Sequence, residues 1–511
     1  MLNDTTSSDV LTVDRNATLT LGTDALIVLD EGLRDRRRAA TNCCGLLPGR
    51  GGSKTTRAIP FYHVLWAEVV DFNVTIRYAR LTGKKSCRVG TVSYGVADKA
   101  HAEPWVERLL RKAYPAGTQR RRRFKVLINP FGGQGYALKL WEEEVEAVFA
   151  AAGCVVDVER TAYRGHAVEI AEKIDVDAYD VVACASGDGL PHEVFNGLAK
   201  RADAGRALRR LAVVQIPCGS GNAMSLNLNG TDSPSLAALA IVKGERTPLD
   251  LVAITQGREK YYSFLSQAIG IVAESDLGTE SLRWMGSLRF TWGILVRLLS
   301  KTLYPVELSV VLDSDDKRGM KEAYRQAVSE HQAAKSKQLP SSTHADSDSD
   351  HHEDPTDETP PSPEPTLQYG TIASPLHPAF QTHDLPTLGN FYVGNMCWMS
   401  PDACFFATAR PADGKMDMIN ISGTIPRATG LRMLATAGDG TLIDFPEVSY
   451  RKVLAYRVTP RMHATPSKSR GLISVDGERV PFEPFQAEVV RGLGTVLSRR
   501  VALYEFDGVE V

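Results

Sequence analysis

Three glycine-rich turns near the middle of the chain are the segments best suited to binding a ligand and doing chemistry on it. Residues 129–135 read NPFGGQG, residues 186–194 read SGDGLPHEV, and residues 217–223 read PCGSGNA. Glycine lets the backbone approach a phosphate closely, and a helix that follows such a turn directs amide groups and a positive dipole at the anion. One glycine pair is usually a structural turn, but three together predict a phosphate-bearing ligand.

Asp188 lies in the second turn, between Gly187 and Gly189. Its carboxylate has two interpretations: it caps the following helix, or it acts as a general base toward a substrate hydroxyl. The second requires a phosphoryl donor, whose site the other two turns would supply. Because phosphoryl transfer depends mainly on positioning and charge neutralisation, a base and Mg²⁺ on the phosphates would be the minimum machinery.

Better-known phosphate-binding patterns are excluded by the same residues. The first turn lacks the GK[ST] ending of a P-loop and the GxGxxG spacing of a dinucleotide-binding fold. The chain also lacks the HRD and DFG elements of a protein kinase.

Each glycine turn follows a predicted strand, and this would bring the turns together. The apolar runs before the turns are FKVLI (124–128), YDVVACA (179–185) and LAVVQI (211–216), and VVDVER (155–160) is a further strand. Strands that alternate with helices predict a doubly wound parallel sheet, whose strand C-termini share one edge. We therefore predict an α/β nucleotide-binding catalytic domain over residues 120–250.

Other regions flank this domain. Residues 1–118 alternate apolar and polar positions and close with a helical stripe of Trp105, Leu109 and Leu110, so they predict either a pleckstrin-homology-type module or another β-rich accessory domain. Residues 251–312 and 385–511 predict a β-sandwich-like C-terminal domain or a distorted barrel. Residues 313–384, rich in Ser, Pro, His, Asp and Glu, predict a disordered acidic insertion.

Composition bounds the remaining classes. The 511 residues allow roughly three domains, and 59 basic against 61 acidic residues give a net charge of −2, so composition makes no case for nucleic-acid binding. No apolar run reaches the ~18 residues of a membrane span, and the polar N-terminus is unlike a secretory signal. Eight cysteines without CxxC spacing argue against a disulfide scaffold or zinc ribbon, so we expect a cytoplasmic protein and assign no metal ligands.

Taken together, the three glycine turns resemble the diacylglycerol-kinase-type catalytic domain of lipid kinases. Within that superfamily, SGDGL followed by HE resembles the sphingosine kinases, or long-chain base kinases. Residues 268–290 (AIGIVAESDLGTESLRWMGSLRF) are similar to the lipid-binding stretch of that family, and residues 475–480 (VDGERV) to its late DGE motif. The resemblance covers about residues 120–310 and 386–511.

The resemblance implies a role for each matching residue. It makes Asp188 the catalytic base and Asp276 the acid that receives the 2-amino group of the substrate. The residues that it places against the substrate hydroxyl are Ser186, Gly187 and Gly189. The nucleotide contacts that it implies are Asn129, Pro130, Phe131, Gly132, Gly133, Gly135, Thr161, Ala162, Tyr163, Arg164, Gly165, Glu193, Gly219, Ser220, Asp476, Gly477 and Glu478, with Arg283 and Arg289 reaching the phosphates.

The activity implied is that of an ATP- and Mg²⁺-dependent kinase acting on the primary hydroxyl of a sphingoid base: sphingosine, dihydrosphingosine or phytosphingosine. Two alternatives stay open. One is a diacylglycerol or ceramide kinase, whose substrate has no free ammonium for Asp276 to bind; the other is a lipid-binding scaffold with an inactive kinase domain. Phe131 and Gln134 stand where many family members carry Lys or Arg, which we expect to tune nucleotide affinity.

A lipid substrate also implies peripheral association with a membrane. The four arginines among residues 34–38 would meet anionic headgroups, and the adjacent Cys43 and Cys44 are candidates for S-palmitoylation. Two ordinary thiols in a loop are the alternative.

Overall fold

The computed structural model describes residues 9–30, 56–115, 117–133, 135–279, 288–300, 302–337, 365–461 and 471–505. They form two compact units. The first comprises the chain up to residue 122 together with residues 141–156 and 233–244, and the second comprises residues 123–140, 157–232 and 245–511. The arginines of residues 34–38, Cys43 and Cys44 lie outside the described residues, so docking and acylation there stay predictions.

Two antiparallel sheets and a helix make up most of the first unit. In its described part, one sheet has the strand order β1–β2–β3–β4 and the other has the order β5–β6–β7. The strands are β1 Val10–Val13, β2 Ala17–Leu21, β3 Ala25–Asp30, β4 Thr56–Pro60, β5 Val64–Val70, β6 Asn73–Leu81 and β7 Cys87–Gly95. Helix α1 (Lys99–Ala113) follows, and the carboxylate of Asp98 caps it by accepting a hydrogen bond from the Ala100 amide.

The apolar stripe identified in the sequence is the buried face of helix α1. Trp105, Leu109 and Leu110 are all buried, as expected for one face of an amphipathic helix. The predicted β-rich N-terminal module is therefore confirmed, whereas its relationship to pleckstrin-homology domains stays a prediction.

A four-stranded sheet with helices between its strands begins the second unit. Its order is β11–β10–β8–β9, and β10 pairs in parallel with both β8 and β11. The strands are β8 Arg123–Ile128, β9 Val155–Arg160, β10 Val181–Ser186 and β11 Ala212–Pro217. The α-helices between residues 137 and 243 are α2 Ala137–Leu140, α3 Glu146–Ala151, α4 His166–Lys173, α5 Gly189–Ala199, α6 Ala204–Arg210, α7 Ala223–Asn229 and α8 Pro234–Lys243. The predicted α/β sheet is confirmed.

The structure divides the residues of the predicted 120–250 domain between the two units. Residues 141–156 and 233–244, which include α3 and α8, belong to the first unit. The ammonium of Lys243 explains part of this grouping, because it donates to the carbonyls of Val64 and Ala113 and lies 3.3 Å from the centroid of the Tyr114 ring. The alternation of strands and helices in the sequence predicts the sheet, but it does not reveal which of those helices pack in the other unit.

A large antiparallel sheet dominates the chain after residue 245, as the predicted β-rich C-terminal domain requires. Its main path is β13–β12–β24–β21–β20–β17–β14–β22–β23, with β15 and β16 joined beside β21. The strands are β12 Glu245–Gln256, β13 Glu259–Ser263, β14 Ser266–Gly270, β15 Val306–Ser314, β16 Gln381–Leu385, β17 Leu388–Gly394, β20 Met416–Ser422, β21 Val448–Pro460, β22 Ile473–Val475, β23 Glu478–Val480 and β24 Phe485–Ser498, and a separate pair is formed by β18 Trp398–Ser400 and β19 Ala403–Cys404.

Helices α9 Ile271–Gly278, α10 Leu288–Ser300, α11 Lys317–Lys337 and α12 Arg427–Ala435 accompany this sheet. In the described part of the chain, no helix combines the length and hydropathy required to cross a bilayer.

The prediction of disorder throughout residues 313–384 is wrong at both ends of that range. Helix α11 buries Met320, Tyr324 and Val328, whose spacing of four residues forms an apolar stripe that the overall polar composition hides. Strand β16 pairs with β15, and the Ser309 and Thr382 hydroxyls are 2.8 Å apart across that pair. Residues 338–364 lie outside the described residues, so disorder there stays a prediction.

Candidate active site

The three glycine turns meet at one edge of the parallel sheet. Each leaves the C-terminal end of a strand, and contacts between the turns are so close that they exclude a side chain. A Cβ at Gly219 would lie 2.3 Å from the Cα of Gly187, and a Cβ at Gly133 would lie 2.8 Å from the carbonyl oxygen of Cys218. Gly133 also adopts φ +57°, a conformation that glycine tolerates best. Glycine is therefore required at these positions by the packing of one turn on another.

A cleft of about 620 Å³ opens where these turns meet. It is lined by most of the residues that the sequence singled out, namely Asn129, Phe131, Gly132, Gly133, Thr161, Tyr163, Arg164, Ser186, Gly187, Asp188, Gly189, Glu193, Gly219, Ser220, Asp276, Asp476, Gly477 and Glu478. Pro130, Gly135, Ala162 and Gly165 lie in the same turns but do not line the cleft. Arg283 lies outside the described residues; Arg289 belongs to α10, but its side chain is not described.

Asp188 lies in the cleft, with its carboxylate held by three hydrogen-bond donors. Oδ2 accepts from the Ala223 amide at 3.0 Å, and Oδ1 accepts from the Met224 amide at 3.0 Å and from Gln215 Nε2 at 3.2 Å. The two amides belong to the first turn of α7, so the carboxylate does cap a helix, though not the helix that follows it in sequence. This leaves acceptor capacity on Oδ2 for a further donor from the cleft.

The acidity of Asp188 is set by opposing effects. Burial raises the pKa of its carboxyl to about 6, against the lowering effect of the three hydrogen bonds; the nearby charge of Asp476 contributes in the raising direction. A carboxylate with such a pKa is ionised at neutral pH yet is a stronger base than an exposed Asp. The capping and base interpretations are therefore compatible in one side chain.

Gln215 is a functional residue that the sequence analysis missed. Its Nε2 donates to Asp188, and its Oε1 accepts from the Ser225 amide at 2.8 Å, so it joins the carboxylate to α7 a second time. The signal was present: Gln215 is the polar residue in the otherwise apolar run LAVVQI. A buried side-chain amide requires hydrogen-bond partners, and those of Gln215 are the Asp188 carboxylate and the first turn of α7.

Asp476, predicted as a nucleotide contact, lines the cleft and is also bonded to several other segments of the protein. It is buried, with φ +50°, and its carboxylate accepts from the amides of Phe264, Leu265 and Ser266. It also accepts from the Ser263 hydroxyl and is 2.9 Å from Nδ1 of His192 on α5. These contacts connect the DGE turn to the SGDG turn and to the strand before Ser266. These hydrogen bonds fix the Asp476 carboxylate in place, and its contact with the nucleotide stays a prediction.

Two further predicted nucleotide contacts are likewise bonded to other site residues. Glu193 accepts hydrogen bonds from the amides of Gly165 (2.9 Å) and Ala167 (3.2 Å), at the start of α4. Arg164 forms an ion pair with Glu478 across the cleft lining. Glu193 therefore holds the backbone at the end of the TAYRG segment, and Glu478 of the DGE turn pairs with Arg164 of the same segment.

Asp276 lies on α9 in the wall of the same cleft. Its Oδ2 accepts a hydrogen bond from the Ser474 hydroxyl at 3.0 Å. Burial raises the pKa of the nearby Tyr392 phenol above its usual range, and the charges of Asp276, Asp476 and Asp188 raise it further. Tyr392 and the three carboxylates all line the cleft.

A smaller, predominantly apolar pocket of about 80 Å³ adjoins the cleft. The two cavities share the side chains of Val272, Ile294, Phe405, Leu434 and Ala437. A ligand with a polar end in the cleft and an apolar chain in this pocket would match the change in lining.

No cluster of three or more His, Cys, Asp or Glu side chains within the described residues is arranged to hold a metal ion. A Mg²⁺ ion usually keeps several waters and is held by one or two carboxylates together with substrate phosphates. A metal at this cleft would accordingly depend on the phosphates for much of its coordination.

Comparison with known proteins gives a consistent set of similarities. Residues 123–254 match the family Diacylglycerol kinase catalytic domain, and residues 9–115 match the family Domain of unknown function (DUF7493). Sphingoid long chain base kinase 4 of Schizosaccharomyces pombe is 36% identical over 442 residues, which cover 86% of this chain and 88% of that protein.

Two further relatives are also named as kinases of sphingoid bases. Sphingoid long chain base kinase 5 of Saccharomyces cerevisiae is 34% identical over 437 residues, or 79% of this chain and 63% of that protein, so the chain spans less than two thirds of that relative's length. Human sphingosine kinase 1 is 27% identical over 379 residues, or 72% of this chain and 88% of that protein.

Proposed function

Because this chain belongs to the sphingoid long chain base kinase family, we propose that it transfers the γ-phosphoryl group of ATP to the primary hydroxyl of a sphingoid base, giving the 1-phosphate and ADP. The observation that carries the proposal is the position of Asp188. Its carboxylate lies where the three glycine turns meet, in a cleft that continues into an apolar pocket.

The residues at the glycine turns fit a nucleotide. Ser220 Oγ is buried without a hydrogen-bond partner among the described residues, so it is a polar atom to which a ligand could bond. Phe131 and Tyr163 are exposed aromatic side chains on the cleft lining, suited to packing against a base. When bound, ATP would supply the phosphoryl group, and Mg²⁺ on its phosphates would offset their charge.

The acceptor side of the cleft fits a single-chain amine lipid. The apolar pocket and the apolar side chains that it shares with the cleft would each take part of the hydrocarbon chain. Asp276 would accept the ammonium group, because a charge removed from water requires an opposite charge. Asp188 would then receive the hydroxyl proton at Oδ2 while its other contacts keep it oriented. Ser186, Gly187 and Gly189, which also line the cleft, leave room for the hydroxyl next to this carboxylate.

The pH dependence of kcat should report the Asp188 carboxyl. A general base works only when it has lost its proton, and burial raises the pKa of Asp188 to about 6. We therefore expect kcat to be roughly constant above pH ~7 and about tenfold lower at pH ~5. An Asp with an ordinary pKa near 3.8 would show no fall until about pH 4, so equal kcat at pH ~5 and pH ~8 would contradict the assignment. ATP binding at both pH values is the control for a folding effect.

Phosphate transfer from labelled ATP to separately presented acceptors tests the proposed reaction. We expect labelled product with sphingosine, dihydrosphingosine or phytosphingosine and none with diacylglycerol or ceramide. Transfer to the neutral lipids would support phosphoryl transfer but contradict the assignment of a sphingoid base as the acceptor. ATP binding without transfer to any acceptor would indicate a lipid-binding scaffold.

A further inference from the structure

The hairpin formed by β6 and β7 is strongly basic. Residues 72–97 contain five Arg and Lys side chains and no Asp or Glu. One of them, Arg77, forms an ion pair with Glu68 of β5 at 2.6 Å. The other four, which we term the basic hairpin end, are Arg80, Lys84, Lys85 and Arg88, and all four are exposed. In the described part of the chain, none of these four side chains has an ion-pair partner.

The register of the hairpin places like charges together. Arg80 lies directly opposite Arg88 in the β6–β7 pair. Directly opposed like charges destabilise a pair of antiparallel strands. Glu144 accepts a hydrogen bond from Ser235 Oγ, the atom that the Cys87 amide also contacts, and forms no ion pair with the four cations in the described part of the chain. No ion pair among the described residues offsets the repulsion at the basic hairpin end, and this suits a surface that meets an external anion.

The turn that carries the two lysines is well ordered by its own hydrogen bonds. The Thr82 amide donates to the Ser86 carbonyl, and the Ser86 hydroxyl donates to the Thr82 carbonyl. Gly83 adopts φ +76°, which this tight turn requires. Below the turn, the Cys87 amide donates to Ser235 Oγ at 3.2 Å. The cations are therefore presented on a fixed support, which reduces the entropy lost on binding.

An apolar side chain accompanies the charges. Leu81, the last residue of β6, is 51% exposed beside Arg80. Cations combined with an exposed leucine suit the interface of a bilayer, where headgroups carry the negative charge and acyl chains begin just beneath.

We propose that the basic hairpin end is an electrostatic docking surface for an anionic lipid bilayer. The choice of a bilayer over other polyanions rests on the proposed function, because a kinase for a single-chain lipid must reach its substrate at a membrane. The hairpin lies outside the residues assigned to catalysis, so docking can be lost while catalysis persists.

The test is sedimentation of the full chain with vesicles, without ATP or sphingoid base. With vesicles of phosphatidylcholine and about 30% phosphatidylserine, we expect K84Q/K85Q to lower the partition coefficient at least tenfold, since each cation near such a surface contributes severalfold. Binding of the unaltered chain should also fall between about 0.1 M and 0.5 M NaCl. Phosphatidylcholine vesicles alone should bind both proteins weakly.

Matched variants separate this surface from general charge effects. K173Q/K200Q removes two exposed lysines elsewhere and should bind like the unaltered chain, and K84R/K85R should retain binding. Unchanged vesicle binding by K84Q/K85Q would overturn the proposal, as would an equal loss in K173Q/K200Q. Kinase activity on sphingosine in detergent micelles should be the same for K84Q/K85Q and the unaltered chain. Absence of that activity in both would contradict the proposed function instead.

Discussion

Asp188→Asn should lower kcat for sphingosine by between about 10² and 10⁴-fold, the range for loss of a general base. The amide cannot take a proton from the acceptor hydroxyl, although its carbonyl oxygen can still accept one backbone hydrogen bond. Affinity for ATP should change little, because the glycine turns remain. The measurement is single-turnover phosphate transfer at saturating ATP and sphingosine, beside ATP binding and thermal unfolding of the same preparations.

The helix-capping role of Asp188 requires a second variant, since Asp188→Asn also weakens two contacts to α7. Gln215→Leu removes one hydrogen bond to the carboxylate but leaves the base in place. The Gln215→Leu variant should retain most activity. The acidic limb of its kcat profile should move to higher pH, because the lost hydrogen bond lowers the pKa of Asp188. Equal inactivity of both variants, together with equal losses of stability, would mean that Asp188 acts only as a cap.

Asp276→Asn should raise KM for sphingosine by about 30- to 1,000-fold and leave KM for ATP nearly unchanged. The reason is that an ammonium group in the cleft would lose its carboxylate partner, and truncating one member of such a pair costs several kcal/mol. Any residual transfer to a neutral acceptor should be unaffected, because that acceptor has no charge to pair. Initial rates with each acceptor, measured over a range of concentrations, distinguish these outcomes.

Ser474→Ala is the matched control for Asp276. It removes the hydroxyl that donates to Asp276 Oδ2 at 3.0 Å and keeps the carboxylate, so KM for sphingosine should rise by less than about tenfold. An unchanged KM in Asp276→Asn would refute ammonium recognition at this residue. Equal losses of ATP binding and of thermal stability in Asp276→Asn would assign Asp276 a structural role.

Local pattern was sufficient to predict the sheet and the turns that carry the cleft. Short apolar runs followed by glycines identified β8, β10 and β11, and strand geometry then placed three turns at one edge. Periodicity also identified the stripe of α1. Helix α11 was missed, because the polar composition of residues 313–384 predicted disorder. The apolar residues of α11, four positions apart, are too few to predict a helix without the surface on which they pack.

The sequence by itself therefore determined which residues could bind phosphate and accept a proton, because backbone conformation and side-chain chemistry are local properties. Tertiary structure alone decided how those residues are held. Asp188 caps α7, a helix 35 residues away along the chain, and is oriented by Gln215 from the next strand. Asp476 binds the backbone of residues 264–266 and lies against His192, 284 residues away in sequence. Such partners are set by the packing of distant segments, and no periodicity in the chain encodes that proximity.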